Sequence, residues 1–476
     1  MGRNRSLFMP YQNEYASKTS HVDILNNPDI KRMLGECSYL KLPSDDEVKK
    51  LVDQFIDLPT DLNESLPEFI IAIDGSNHEV SIDDKLPSTK FGFVKVGVVL
   101  ISLKEFGDLK DGKFIDPFRV ASLRKKNTSL SFFIPSANIT WKNKSNVRDS
   151  FRAIFDQQLY DERTRFDPKD PQTSLRSTLF TLASLRPGEM GTSDERSLKI
   201  HKCPTCGDGP ITVKDIPDQQ FCPHCGKEIY PSDCLRLWEE VNDYQSNQIV
   251  ISRMMMILEH IIPAHYIRFF LNKSPLLLTN IAFFVDGPLA MFGNAAWIHR
   301  SLMIFLENAR RKLSRFNAKP ILMIGLQKTG QVVDYINLID RFLPNNKIYC
   351  VDDDFRYKFM LGDRDPAGKT FGYETYYGQD FIYKTSNGKT FDFLIPYPFP
   401  SKDLSNLDFK LEKTKLDNYE NLNRAIVLIT KLQSDLYESA VIPIALAHHF
   451  TAISFEPGGR VLDVFAQQAM KGNYNG

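Results

Sequence analysis

The chain has 476 residues, 42% hydrophobic and 25% charged, the balance of a globular protein long enough for two or three structural units rather than a fibrous or disordered one. Lys plus Arg and Asp plus Glu both number 59, so overall charge advertises no nucleic-acid partner and any such surface must be local. No apolar run reaches the length of a membrane span, and M-G-R-N-R-S-L-F-M-P lacks the apolar core and cleavage pattern of a secretion signal.

Residues 1–64 read as a polar, irregular segment, with an amphipathic helix over Asp45–Leu58. A first structural part, 65–200, opens on Ile70–Asn77, I-I-A-I-D-G-S-N. Its β-branched, apolar start is a buried strand that delivers Asp74, and Gly75 and Ser76 are expected to turn the chain. Phe91–Leu103 and Ser129–Pro135 read as further strands, and Val147–Leu185 as interrupted helix. Neither a P-loop nor G-x-G-x-x-G occurs, so the chain is not expected to hydrolyse ATP.

Residues 201–230 change character. Of seven cysteines, Cys203, Cys206, Cys222 and Cys225 space as C-x2-C-x15-C-x2-C, each pair followed by Gly. That is the ligand pattern of a zinc ribbon holding one structural Zn²⁺, with no open position for catalysis. A redox C-x-x-C, an iron–sulfur cluster, or His201 or His224 as a replacement ligand are the other readings. Cys234 follows as a free thiol. The cysteine usage argues for a reducing compartment, so a cytoplasmic protein is expected.

The second structural part, 231–465, precedes a polar tail at 466–476. Cys234–Leu271 reads as helix, kinked or ended by Pro263. Within it Glu259 lies among Ile257, Leu258, Ile261 and Ile262, so its side chain either faces solvent or turns inward to a metal. Ile281–Leu289, I-A-F-F-V-D-G-P-L, repeats the apolar-strand-D-G unit and delivers Asp286. Two such carboxylates, if they converge, form a site for a hard divalent cation; alone, each D-G is a turn. Ala295–Phe316 is a helix ending in R-R-K-L-S-R, whose Arg310, Arg311, Lys312 and Arg315 either complement the helix dipole or form a basic patch near the site. Pro320–Leu326 is a strand parallel to the Asp286 strand, which brings Lys328 to the same end to meet a phosphate. Residues 345–400 alternate as strands, Leu422–Leu436 is a helix, and A-V-I-P-I-A-L-A-H-H delivers His448 and His449.

These motifs resemble the NurA nucleases: I-A-I-D-G-S, the helical M-I-L-E-H, F-F-V-D-G-P-L, G-L-Q-K-T and P-I-A-L-A-H-H, spread over roughly 65–460. The resemblance implies an α/β, RNase H-like mixed sheet flanked by helices, here with a zinc-ribbon insertion that a minimal member need not have. It implies a DNA nuclease dependent on Mn²⁺ or Mg²⁺, with Asp74, Glu259 and Asp286 as metal ligands and His448 as the basic residue, His449 in reserve. For the helical ligand, Glu239, Glu240 and Glu307 are nearby alternatives to Glu259. It further implies a homodimer docked on a hexameric HerA-like ATPase, acting in DNA end processing or defence against foreign DNA. Both active sites would then face a groove lined by Lys328, Arg310, Arg311 and Arg315. The competing reading is a non-catalytic adaptor that binds nucleic acid or a partner through its zinc ribbon and the Arg310–Arg315 patch, its acids being structural.

Overall fold

A computed structural model describes residues 20–37, 44–58, 64–83, 86–107, 110–111, 114–115, 127–361, 370–405, 407–434 and 441–452. The polar tail and much of the N-terminal segment lie outside these residues. Only the main-sheet strands and the helices packed on them are numbered below.

β1 (Ile56–Asp57), β2 (Phe69–Asp83), β3 (Leu86–Ser102), β4 (Asn127–Ala137), β5 (Ile281–Asp286), β6 (Leu322–Gln327), β7 (Lys347–Cys350), β8 (Gly378–Lys384) and β9 (Thr390–Pro396) form one sheet in the order β1-β7-β8-β9-β6-β5-β2-β3-β4. Its centre, β6-β5-β2, is parallel, and antiparallel pairs extend it on both sides. This is the mixed sheet the sequence leads one to expect. β2 and β3 run past the ends of their neighbours as a long hairpin: β5 pairs with β2 only as far as Ile73, whereas β3 pairs with it as far as Asp83.

Strand alternation sends successive side chains to opposite faces. Ile71, Ile73, Phe283, Val285 and Met323 enter one core. α1 (Val147–Tyr160), α2 (Leu175–Ser184), α3 (Gln248–Lys273) and α4 (Trp297–Ser314) cover that core. Ile70, Ala72, Ala282, Phe284, Leu322 and Ile324 enter the other core, beneath α5 (Leu422–Leu432) and α6 (Ile442–Thr451). Each fully buried Ile or Phe contributes about 1.5–3 kcal/mol, so the site rests on a stiff two-faced platform.

Three local expectations change. Gly75 and Ser76 do not turn the chain but continue β2. Pro231–Leu235 and Leu237–Glu240 are short 3₁₀ turns on either side of a left-handed Arg236, and α3 begins only at Gln248. Pro263 does not end α3, which runs through it for 26 residues. Proline there removes the donor to the Glu259 carbonyl at a cost of about 3 kcal/mol, which burial on all sides of the helix offsets. No helix among the described residues is long and apolar enough to cross a membrane.

Candidate metal centre

The alternation that builds the platform also places the charges. Ile70 and Ala72, Ala282 and Phe284, and Leu322, Ile324 and Leu326 all face α5 and α6. Two residues further along stand Asp74 and Asp286 on their strands and Lys328 just past the end of β6. Parallel register sets Asp286 beside Leu326, and the Lys328 ammonium lies 2.7 Å from the Asp286 carboxylate.

Asp74 is buried. Its Oδ1 accepts from the Gly75 amide at 2.9 Å, and its Oδ2 lies 2.9 Å from His448 Nδ1. Glu259 reaches the same point from the opposite face, where its Oε1 accepts from the Gly75 amide at 2.7 Å. A Cβ at position 75 would meet Glu259 Oε1 at 2.8 Å and Met255 Cγ at 2.6 Å. The glycine of this D-G therefore admits α3 rather than turning the chain. Gly287, after Asp286, does turn the chain, at φ 93°.

α6 is seated by a second glycine. Gly97 is the cross-strand partner of Asp74, and a Cβ there would meet Thr451 Cγ2 at 2.5 Å. The last turn of α6 thus comes down beside Asp74, and the Lys95 ammonium donates to the Phe450 carbonyl at 2.6 Å, capping the negative end of that helix. Sequence reasoning missed Lys95 and Gly97; a glycine inside an otherwise β-branched strand was the available signal.

Three carboxylates converge here on one ammonium. Burial, then the charge of Asp286, pushes Asp74 up to about 7, partly countered by Lys328. Burial, then Asp74 and Asp286, pushes Glu259 well above the ordinary carboxylate range. His448 is pushed down by burial and then by Lys328, against the pull of Asp286, and its Nδ1 shares one proton-bearing contact with Asp74 Oδ2. The centre is short of positive charge. One ligand atom each from Asp74, Asp286 and His448 lies within 4.8 Å of the others. This set of carboxylate oxygens and an imidazole could hold a divalent cation.

Other flagged residues stay apart. α4 runs back against β5, so its last turns lie beside Pro320 and Ile321, at the end of the sheet away from Asp286. Arg310 and Arg311 there pair with Glu307 at 2.8 and 2.7 Å, and Lys312 donates to the Leu271 carbonyl. The expected nearness of Arg310, Arg311 and Arg315 to the carboxylates is thus corrected by the direction of their helix. Glu239 pairs with Arg236 and Glu240 with Arg253, which leaves Glu259 as the helical acid at the centre. His449 neighbours His448 on α6 and is exposed.

The four cysteines converge as a second cluster, all sulfurs within 4.8 Å. Cys203 and Cys225 are 3.7 Å apart and Cys206 and Cys222 3.8 Å. A disulfide needs about 2.05 Å, whereas four thiolates at about 2.3 Å from a tetrahedral Zn²⁺ stand roughly 3.8 Å apart. Gly207 and Gly226, at φ 79° and 69°, return their amides to the Cys203 and Cys222 carbonyls at 3.0 and 2.9 Å. Neither His201 nor His224 joins the cluster. The ribbon is not isolated from the body: Cys203, Cys222, Ile200, Ile211, Val213 and Ile229 share the core beneath α1 and α2.

A family model described as NurA domain matches residues 69–451. A solved structure described as "Crystal structure of NurA" is similar at 12% sequence identity, over 92% of this chain and 95% of that one, with a TM-score of 0.28. That score is too low to bear on the fold by itself. No curated protein matches.

Proposed function

The chain belongs to the NurA family, a family of nucleases, and from that premise we propose that it is a divalent-metal-dependent deoxyribonuclease. Asp74 and Asp286 are the ligands of Mn²⁺ or Mg²⁺, and Glu259, outside the set whose ligand atoms lie within 4.8 Å of one another, stands beside Asp74 on the Gly75 amide. The observation that carries this reading is the convergence of the Asp74, Asp286 and His448 ligand atoms within 4.8 Å. An ion held there supplies Lewis acidity and an activated water. Lys328, beside Asp286, meets the phosphate being cut. His448 has Nδ1 occupied by Asp74, which leaves Nε2 to take or give a proton. Its side chain is 57% exposed, accessible to a substrate. The cysteine cluster holds one structural Zn²⁺.

The adaptor reading expects the two strand-end carboxylates to stand apart with no shared ligand position; their closeness argues against it. The chain lacks a phosphate-binding loop, which fits a nuclease that draws its motor from a HerA-like hexameric ATPase, itself working as a homodimer in DNA end processing or defence. Linear and single-stranded DNA incubated with Mn²⁺ or Mg²⁺ should be cleaved by the wild type and left intact by Asp74→Ala. Cleavage that survives both EDTA and that substitution would refute the reading. Solution mass alone and with the ATPase tests the assembly, which a strict monomer indifferent to the ATPase would exclude.

A further inference from the structure

A cavity of about 260 Å³ opens between α4 and the segment around Lys402. Its cationic wall consists of Arg186, Arg300 and Lys402, with Tyr373 beside them. α4 begins just after Asp286, so the cavity lies toward the metal-centre end of the sheet, on the opposite face from α6.

Lys402 is 6% exposed and has no carboxylate partner among the described residues. Its ammonium donates to the Gly372 and Tyr373 carbonyls at 2.9 and 2.6 Å. Burial and the like charges of Lys413 and Arg300 push it down to about 7. Arg186 is also buried; it donates to the Trp297 carbonyl and pairs with Glu189. Arg300 pairs with Glu374 at 2.9 Å, and the Tyr373 hydroxyl donates to Asp403. The two glutamates that answer these arginines are 63% and 70% exposed, and the Arg300–Glu374 pair, open to solvent on both sides, contributes about 0–1 kcal/mol. A buried anion would displace them readily. The basic groups Arg186 and Lys402 are buried, whereas the acids Glu189, Glu374 and Asp403 are exposed.

We propose that this cavity binds a phosphomonoester, the terminal phosphate of a DNA strand. An internal phosphodiester carries one charge and is flanked by sugar on both sides, so it cannot descend to a lysine this deep. A terminal phosphate protrudes, carries close to two charges and offers three oxygens. Lys402 and Arg186 would hold those oxygens, Arg300 would close over them, and the Tyr373 ring lies where a terminal base can stack. The inference rests on the nuclease reading and names the end that the same enzyme would grip.

Binding measured without metal separates the two claims. Fluorescence anisotropy in EDTA compares one oligonucleotide with a 5′-phosphate, a 3′-phosphate or only hydroxyl ends, and thymidine 5′-monophosphate serves as competitor. The wild type should prefer one phosphorylated end by about tenfold, the worth of a charge-assisted hydrogen bond. Lys402→Met and the rim variant Arg300→Gln should each erase most of that preference, while Mn²⁺-dependent cleavage of the all-hydroxyl substrate stays unchanged. A 5′ or a 3′ preference identifies the end. Competition by thymidine 5′-monophosphate for the preferred oligonucleotide, lost in Lys402→Met, shows that the phosphomonoester itself is the recognised group. Equal binding of all forms by the wild type, or a preference that both variants retain, overturns the proposal, whatever the cleavage assay shows. If Lys402→Met melts early, Arg300→Gln alone decides.

Discussion

Replacing Asp74 by Asn should make the metal-free protein more stable while destroying its proposed activity. The Asp74 carboxyl is pushed from an ordinary 3.8 to about 7 by burial and by Asp286. The folded state therefore holds this proton more tightly than the unfolded state does. The stability from that proton is fully present below pH 3.8 and is lost as pH rises through 7. At 1.36 kcal/mol per unit, a rise of about three units sets an upper bound of about 4 kcal/mol on the penalty above neutrality. Asn is isosteric and uncharged, and its oxygen still accepts from the Gly75 amide. In EDTA at pH 8 the variant should therefore melt higher, by roughly 4 °C for a chain of this size. At pH 5, where the native Asp74 is protonated, the gap should shrink by about 3 kcal/mol. Saturating Mn²⁺ should reverse the order, stabilising the wild type and not the variant. Thermal unfolding at both pH values, with EDTA and with Mn²⁺, reads all four corners. A variant no more stable than wild type at pH 8 in EDTA, or one stabilised equally by Mn²⁺, would show that Asp74 is not an uncompensated acid awaiting a cation.

Because Mn²⁺ must displace the Asp74 proton, its affinity by calorimetry should rise with pH up to about 7 and then level off, with proton release visible as a buffer-dependent enthalpy; affinity constant from pH 5.5 to 8 would contradict this. Changing Cys222 and Cys225 together to Ser should remove one zinc per chain and, since the ribbon shares the main core, lower the melting temperature by roughly 5 °C or more; an unchanged zinc content refutes the ligand set. Arg310→Gln with Arg311→Gln should leave DNA affinity and its salt dependence unaltered, because both sit at the far end of the sheet on Glu307; a drop in the salt slope of about one per arginine would place them on DNA after all.

The sequence discloses the strand-borne half of the centre and hides the rest, for physical reasons. A period of two makes Asp74 and Asp286 readable: each ends an apolar run on a known face, and parallel order carries Lys328 to their side. Glu259 was ambiguous because α3 is apolar all round, so no face of that helix announces itself as inward. What turns the acid inward is the Gly75 amide, 184 residues away in sequence. Gly75 is hidden in the sequence because D-G is a turn signal in isolation and a close-approach signal in a packed sheet. Nearness along the chain does not place the arginine patch, because a helix returning against its strand carries its last turn to the opposite end. Lys95 and Gly97 act only through α6, whose seat on β3 is a tertiary fact that no local pattern encodes.

The hydrogen bond between Asp74 and His448 joins residues 374 positions apart, with consequences for the protein as it is made. Chains emerge N-terminal end first and their parts fold in that order. The acids of β2, α3 and β5 and the lysine after β6 are all synthesised before α6 exists. Until α6 emerges and settles on Gly97, a nascent copy can carry its carboxylates in place but lacks His448. If His448 has the proposed role, a copy still being synthesised, or one broken off ahead of residue 441, holds the acids of the centre without the imidazole that completes it.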